Sequence, residues 1–304
     1  MPNFNELEFK SFFWKGKLKE AMVYLSEIPE KRELYERYVD IFINRNLVRR
    51  TDNSIIDQID QIYQNYYHDV FWEQLSTDVA KTKLYQTFRE FCGLATDTVS
   101  NSDVEQEVAK LVLSEGYSFL GGETQGILGP YIWKDTEEVI YEVDLPSGKE
   151  LYKVIMLDGF ISRSWMDYIS MGLTGTGGWA KDDGTLCCVK QCYDLGSDHF
   201  LISFLKHEAQ HAYDKRVNPY ITSEALEYRA KLVELVYWNN DEKIKSFLRE
   251  ADSTNITNTH AMAAYRIVRG LSDRIFECEF QSDENAWQNK TALVQKHSLE
   301  MLSK

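Results

Sequence analysis

The sequence predicts an α+β fold, on three observations. Apolar residues recur at helical spacing up to about residue 115, short β-branched and aromatic runs broken by glycines follow from 116 to 189, and helical spacing returns after 196. This order places an all-helical N-terminal domain over 1–115 and a second domain, a small and largely antiparallel sheet with C-terminal helices, over 116–304. At ~150 residues per domain, 304 residues is a two-domain length.

In the first third, Ile55, Ile59, Ile62, Tyr63, Tyr66, Val70 and Phe71 form one face of a long amphipathic helix. Similar patterns cover 34–42 and 84–91, the latter ending at Gly93 where a helix cap belongs. Ser102 to Glu105 has the residue types of a capping box, and four or five packed helices are expected in all. In the middle, 139–145 and 151–157 flank Pro146-Ser147-Gly148-Lys149, a hairpin-turn sequence. Asp182-Asp183-Gly184 is a second turn before 186–189. Helices are then expected over 198–216, 223–237, 242–250, 259–275 and 286–302, with Pro219 ending the first.

Composition narrows the function classes. The balance of 34 basic against 48 acidic residues gives a formal charge of -14, which repels nucleic-acid phosphates and anionic lipid heads. No run approaches the ~18 consecutive apolar residues of a membrane span. Neither nucleic acid nor a membrane is therefore expected as a partner. Five cysteines, an odd number in a chain too large to need stapling, read as reduced thiols. With no signal-peptide pattern at the N-terminus, a cytoplasmic location is the expectation.

The chemistry lies in His207-Glu208-Ala209-Gln210-His211, an H-E-x-x-H inside a predicted helix. Residues four apart stand one above the other on a helix face, so both imidazoles reach one metal ion. Glu208 then sits where its carboxylate reaches a water in the open coordination position, as a general base requires. The donor types favour Zn2+.

Tetrahedral zinc needs a third protein ligand, and the next helix offers Glu224, Glu227 and Glu234. Glu224 falls in the first turn, where it complements the helix dipole. Glu227 lies one turn deeper and is followed by the small Ala230, which permits close helix approach, so it is the preferred ligand. A metzincin continuation is excluded, because Asp214 and Val217 stand where glycine and histidine are needed. Asp214 shares the face of the two histidines and is a candidate to orient one. The ~10 Å rise over seven residues removes it from the ligand set.

HEAQH followed by LEYRA resembles the gluzincin branch of the zincin metallopeptidases, over roughly 177–235. The resemblance implies His207, His211 and Glu227 as metal ligands and Glu208 as catalytic base. It departs at Lys231, where several gluzincins carry an aspartate that orients a ligand histidine. Either another group does that work here or the third ligand is a different residue. The resemblance further implies a peptide or protein substrate bound along an edge strand, for which Gly178-Trp179-Ala180 is the candidate. An oxyanion donor should come from outside the metal helix. His260 and Tyr265, beyond the loop 252–258, have suitable chemistry, as has Tyr228. Cys187, Cys188 and Cys192 are read as small thiols rather than a second metal site, since neighbours on a strand face opposite ways.

The expected activity is zinc-dependent peptide-bond hydrolysis, hence a hydrolase and metallopeptidase. Two alternatives stand beside it: a non-catalytic zincin-like protein that binds a peptide or partner, and a zinc hydrolase of a non-peptide amide.

Overall fold

The computed structural model describes residues 4–94, 99–254 and 258–303. Helices flank one principal sheet along the chain, an α+β arrangement, and the chain divides into two compact units. The first comprises Met1–Asp135 and Asp158–Thr176, the second Thr136–Leu157 and Gly177–Lys304. The expected boundary at 115/116 thus falls inside the first unit. The reason is packing: Ile127, Leu128, Ile132, Trp165, Tyr168 and Ile169 share the core of the N-terminal helices.

Six helices precede residue 115 among the described residues: α1 (Glu6–Trp14), α2 (Leu18–Ser26), α3 (Arg32–Tyr38), α4 (Ser54–Tyr67), α5 (Thr77–Phe91) and α6 (Asn101–Ser114). The expected run through Phe71 is real, but its last turn widens into a π-helix over His68–Trp72, a period that 3.6-residue spacing does not announce. Gly93 takes φ +67, the left-handed backbone of a helix end. The capping box is Ser100 with Asp103, two residues before the expected pair, because Ser100 is the residue in extended backbone. A short helix α7 (Ser164–Ile169) inserts Trp165 against Phe71 at a ring separation of 5.1 Å. Arg50 ties the same segment to α4, donating to the Ile161 carbonyl at 2.7 Å and facing Asp60 at 3.6 Å.

The strands are β1 (Ser118–Leu120), β2 (Glu123–Thr124), β3 (Ile127–Leu128), β4 (Tyr131–Leu145), β5 (Gly148–Arg163), β6 (Gly178–Ala180) and β7 (Leu186–Val189). β2 and β3 form a separate small hairpin. The other five make one sheet in the order β1-β4-β5-β7-β6, with the β4–β5 turn at Pro146 and Ser147. Within the second unit, β7 runs parallel to β5, Val154 opposite Leu186, and antiparallel to β6, Gly178 opposite Cys188. The pairing is largely antiparallel, as expected, with β5–β7 as the parallel exception. All four β7 residues are buried, and a run apolar on both faces is the pattern of a strand covered on both sides, as strands in parallel pairs commonly are.

After β7 the chain is helical. Ser197 caps a run that begins as α8 (Asp198–Phe200), widens into a π-helical segment over Leu201–Lys206, and continues as α9 (His207–Val217). Then come α10 (Ser223–Tyr237), α11 (Glu242–Glu250), α12 (Thr259–Phe276) and α13 (Thr291–Leu302). Residues 255–257 of the loop before α12 lie outside the described residues. The last helix starts later than expected, because Asn289 at φ +59 separates it from a 3-10 turn, Glu284–Trp287. Leu232, Val233, Phe247, Ile267, Val268 and Leu271 join α10, α11 and α12 in a core beneath α9. Among the described residues, no helix is long and apolar enough to cross a membrane.

Candidate metal centre

The site is assembled from α9, α10 and α12 of the second unit. His207 and His211, one turn apart on α9, stand edge to face with ring centroids 4.6 Å apart. Both Nε2 atoms point at the carboxylate of Glu227 on α10: His211 is 3.3 Å from Oε1 and His207 is 3.5 Å from Oε2. The fully buried Ala230, three residues on, gives α10 the small side chain that close approach to a neighbouring helix requires. Ligands held ~2.05 Å from a tetrahedral zinc ion are separated by ~3.3 Å. The two histidine–carboxylate distances are of that size but run to the two different oxygens of Glu227, so they bring three donors around one space without tracing one tetrahedron; the nitrogen and oxygen donors suit zinc. Glu227 Oε2 is a second sign of fit: it is buried, faces His207 Nε2 and has no hydrogen-bond partner among the described residues, whereas the partnerless atom of His211 is Nδ1, on the ring side away from Glu227.

Glu208 also offers an oxygen within 4.8 Å of the ligand atoms of both histidines. It is partly exposed and, among the described residues, has no hydrogen-bond or ion-pair partner, as a proton acceptor facing a substrate needs. His260, at the start of α12, turns its Nδ1 to Glu227 Oε2 at 3.0 Å while 56% of its side chain stays exposed.

Charge follows from these contacts. Burial works against a proton on His207 but is outweighed by the carboxylates of Glu227 and Glu234, which push its pKa up to about 10. Burial also works against the Glu227 anion, yet the imidazoles of His207, His211 and His260 facing it hold it far below the usual carboxylate range. Glu234 is held low in the same way by Lys243 and His207.

Other expected residues lie elsewhere. Glu224 is half-buried and pairs with Arg266 at 2.5 Å. Asp214 does not orient a histidine: Arg229 takes its carboxylate at 2.9 Å. Tyr265 stacks on Phe280 at 5.4 Å, and Tyr228 lies beneath the Arg266 guanidinium at 4.9 Å. Gly178-Trp179-Ala180 is β6, an edge of the sheet. At Gly178 an added Cβ would stand 2.3 Å from the Phe204 ring and 2.4 Å from the Cys187 carbonyl, so glycine sets how closely this edge approaches the metal helix. Cys187 and Cys188 are buried free thiols.

Sequence reasoning missed the group that orients His207. Glu234 accepts from Nδ1 at 2.8 Å, where Lys231 had left the gluzincin aspartate unreplaced. Its signal was available, since Glu234 follows Glu227 by seven residues and so shares its helix face. Lys231 itself pairs with Glu250 at 2.7 Å.

No family model matches the chain, and neither the curated proteins nor the solved structures contain a significant match to it.

Proposed function

We propose that the second unit is the catalytic part of a zinc-dependent peptide hydrolase of the zincin type, gluzincin-like in its ligand set. The observation that carries this reading is the pair of Nε2 atoms at 3.5 and 3.3 Å from one carboxylate. His207, His211 and Glu227 would hold the ion. Bound there, zinc supplies Lewis-acid polarisation of the scissile carbonyl and acidifies a water. Glu208 takes the proton from the attacking water and delivers it to the leaving amine. His260, exposed at the rim, is placed to donate to the developing oxyanion. β6 offers backbone groups on which an extended peptide can add as a further strand.

The test joins metal content to turnover. Glu227→Ala should remove most of the one zinc per chain expected of the wild type, while Glu224→Ala, which loses only an exposed ion pair, should retain it. Glu208→Gln should keep the metal and cleave a peptide library ~10²–10⁴-fold more slowly. A Glu208→Gln protein as active as wild type would sink the mechanism. A well-folded wild type that takes up no zinc would favour a non-catalytic binding protein.

A further inference from the structure

His207 is the near end of a buried chain of polar groups that leaves the metal helix and returns to it. Its Nδ1 meets Glu234 Oε1 at 2.8 Å, and Glu234 is buried. The other oxygen of Glu234 is ion-paired with the ammonium of Lys243 on α11. That ammonium donates to Ser203 Oγ at 2.6 Å. Ser203 precedes His207 by four residues, one turn earlier on the same helical run. Lys243 itself is 13% exposed and lies over the rings of Trp238 and Phe247, at 5.0 and 5.3 Å.

We infer that Lys243 is a positioning residue for the metal ligand His207, acting through Glu234. The inference rests on the zinc-site reading above. A carboxylate can rotate, and either oxygen can serve either neighbour. With Lys243 holding Oε2, Oε1 is left for His207. A bond from Nδ1–H to that oxygen fixes the ring with Nε2 toward Glu227, so that Nε2 offers its lone pair to a metal once its own proton is displaced. Without the ammonium the carboxylate is free to turn away, and the ring loses the contact that aims it. Ser203 closes the loop by anchoring the lysine head to the helix that carries the ligand. The arrangement also explains why α11 carries a nearly buried lysine: removing it would take from the buried Glu234 the largest of the charges that compensate it.

The experiment measures zinc affinity by competition with a chromophoric chelator, alongside thermal melting of the metal-free protein. It uses the full chain as wild type, Glu234→Gln, Lys243→Met and the double variant. Glu234→Gln should bind zinc ~10–100-fold more weakly, the usual loss when the partner of a ligand histidine is removed. Lys243→Met should bind ~10-fold more weakly. The double variant should be no weaker than Glu234→Gln alone, because the lysine acts only through the carboxylate. Cobalt in place of zinc should give a tetrahedral visible spectrum that loses intensity in the same order.

A Lys243→Met protein that melts earlier but binds zinc like wild type would reduce the lysine to a structural counter-ion and overturn the inference. Additive losses in the double variant would overturn it as well. Should Lys243→Met fail to fold, the double variant, in which neither charge is buried alone, still decides by comparison with Glu234→Gln. A wild type that binds no zinc fails at an earlier step and overturns the metal reading together with this one.

Discussion

His260 Nδ1 lies 3.0 Å from Glu227 Oε2, so the Glu227 carboxylate faces three imidazoles, two from the metal helix and one from the start of α12. The two on α9 are nearly buried, whereas His260 is 56% exposed, and this difference separates their roles. A solvent-screened contact contributes less to holding the carboxylate than the two buried ones. On the proposed zinc-hydrolase reading, an exposed imidazole beside the metal site can still touch substrate.

His260→Ala is therefore expected to lower zinc affinity less than tenfold, a smaller loss than for a buried partner of a ligand. At saturating zinc it should lower kcat by ~10²-fold, the scale of losing one oxyanion donor. Tyr265→Phe should leave kcat unchanged, because that ring is stacked on Phe280. Steady-state kinetics at fixed free zinc checks both, and a strong Tyr265 effect with a silent His260 would reverse the assignment.

What could be read in the sequence was what depends on local spacing. The i, i+4 histidines and the small residue after Glu227 follow from helical periodicity alone, and the structure brings these residues together. The partner of His207 was harder, since seven-residue spacing marks Glu234 and Asp214 equally as face-sharing acids. Tertiary contacts separate them: Arg229 captures Asp214, while Lys243 holds Glu234 against the imidazole. Lys243 and Ser203 were invisible because each is ordinary within its own helix. The π-helical turns escaped for a different reason, as an extra residue per turn shifts the apolar face without changing residue types. The parallel β5–β7 pair depends on the crossover between the strands, and the short apolar run of β7 gives only a local hint of it.

Gly178 gives a prediction about the sheet edge. Alanine there meets the Phe204 ring and the Cys187 carbonyl at distances no real Cβ tolerates, so β6 must shift away from β7 to clear the carbonyl and Phe204 must also give way unless that shift clears it. Gly178→Ala should cost ~1–3 kcal/mol, the range for overpacking a tight interior. It should also raise KM for extended peptides more than it lowers kcat. Thermal melting together with kinetics on long and short peptides tests this. A variant with unchanged KM would remove β6 from substrate binding.

The last prediction concerns protons and metal. In the metal-free protein His207 has its pKa pushed up to about 10 by Glu227 and Glu234, against the opposing effect of burial. Its ordinary value is 6.5. A raised pKa means the folded state binds the proton more tightly than the unfolded state. The stability it contributes is fully present below pH 6.5 and is lost as pH rises through about 10. Zinc must displace that proton, since the ion and the proton compete for the imidazole lone pair. Between pH 7 and 9, zinc binding should therefore release about one proton, and apparent affinity should rise by about tenfold per pH unit. Calorimetric titration in buffers of differing ionisation enthalpy counts the proton directly. Removing Glu234 should lower the His207 pKa and flatten the affinity profile over the upper part of this range. A pH-independent affinity in the wild type would show that His207 holds no proton to displace.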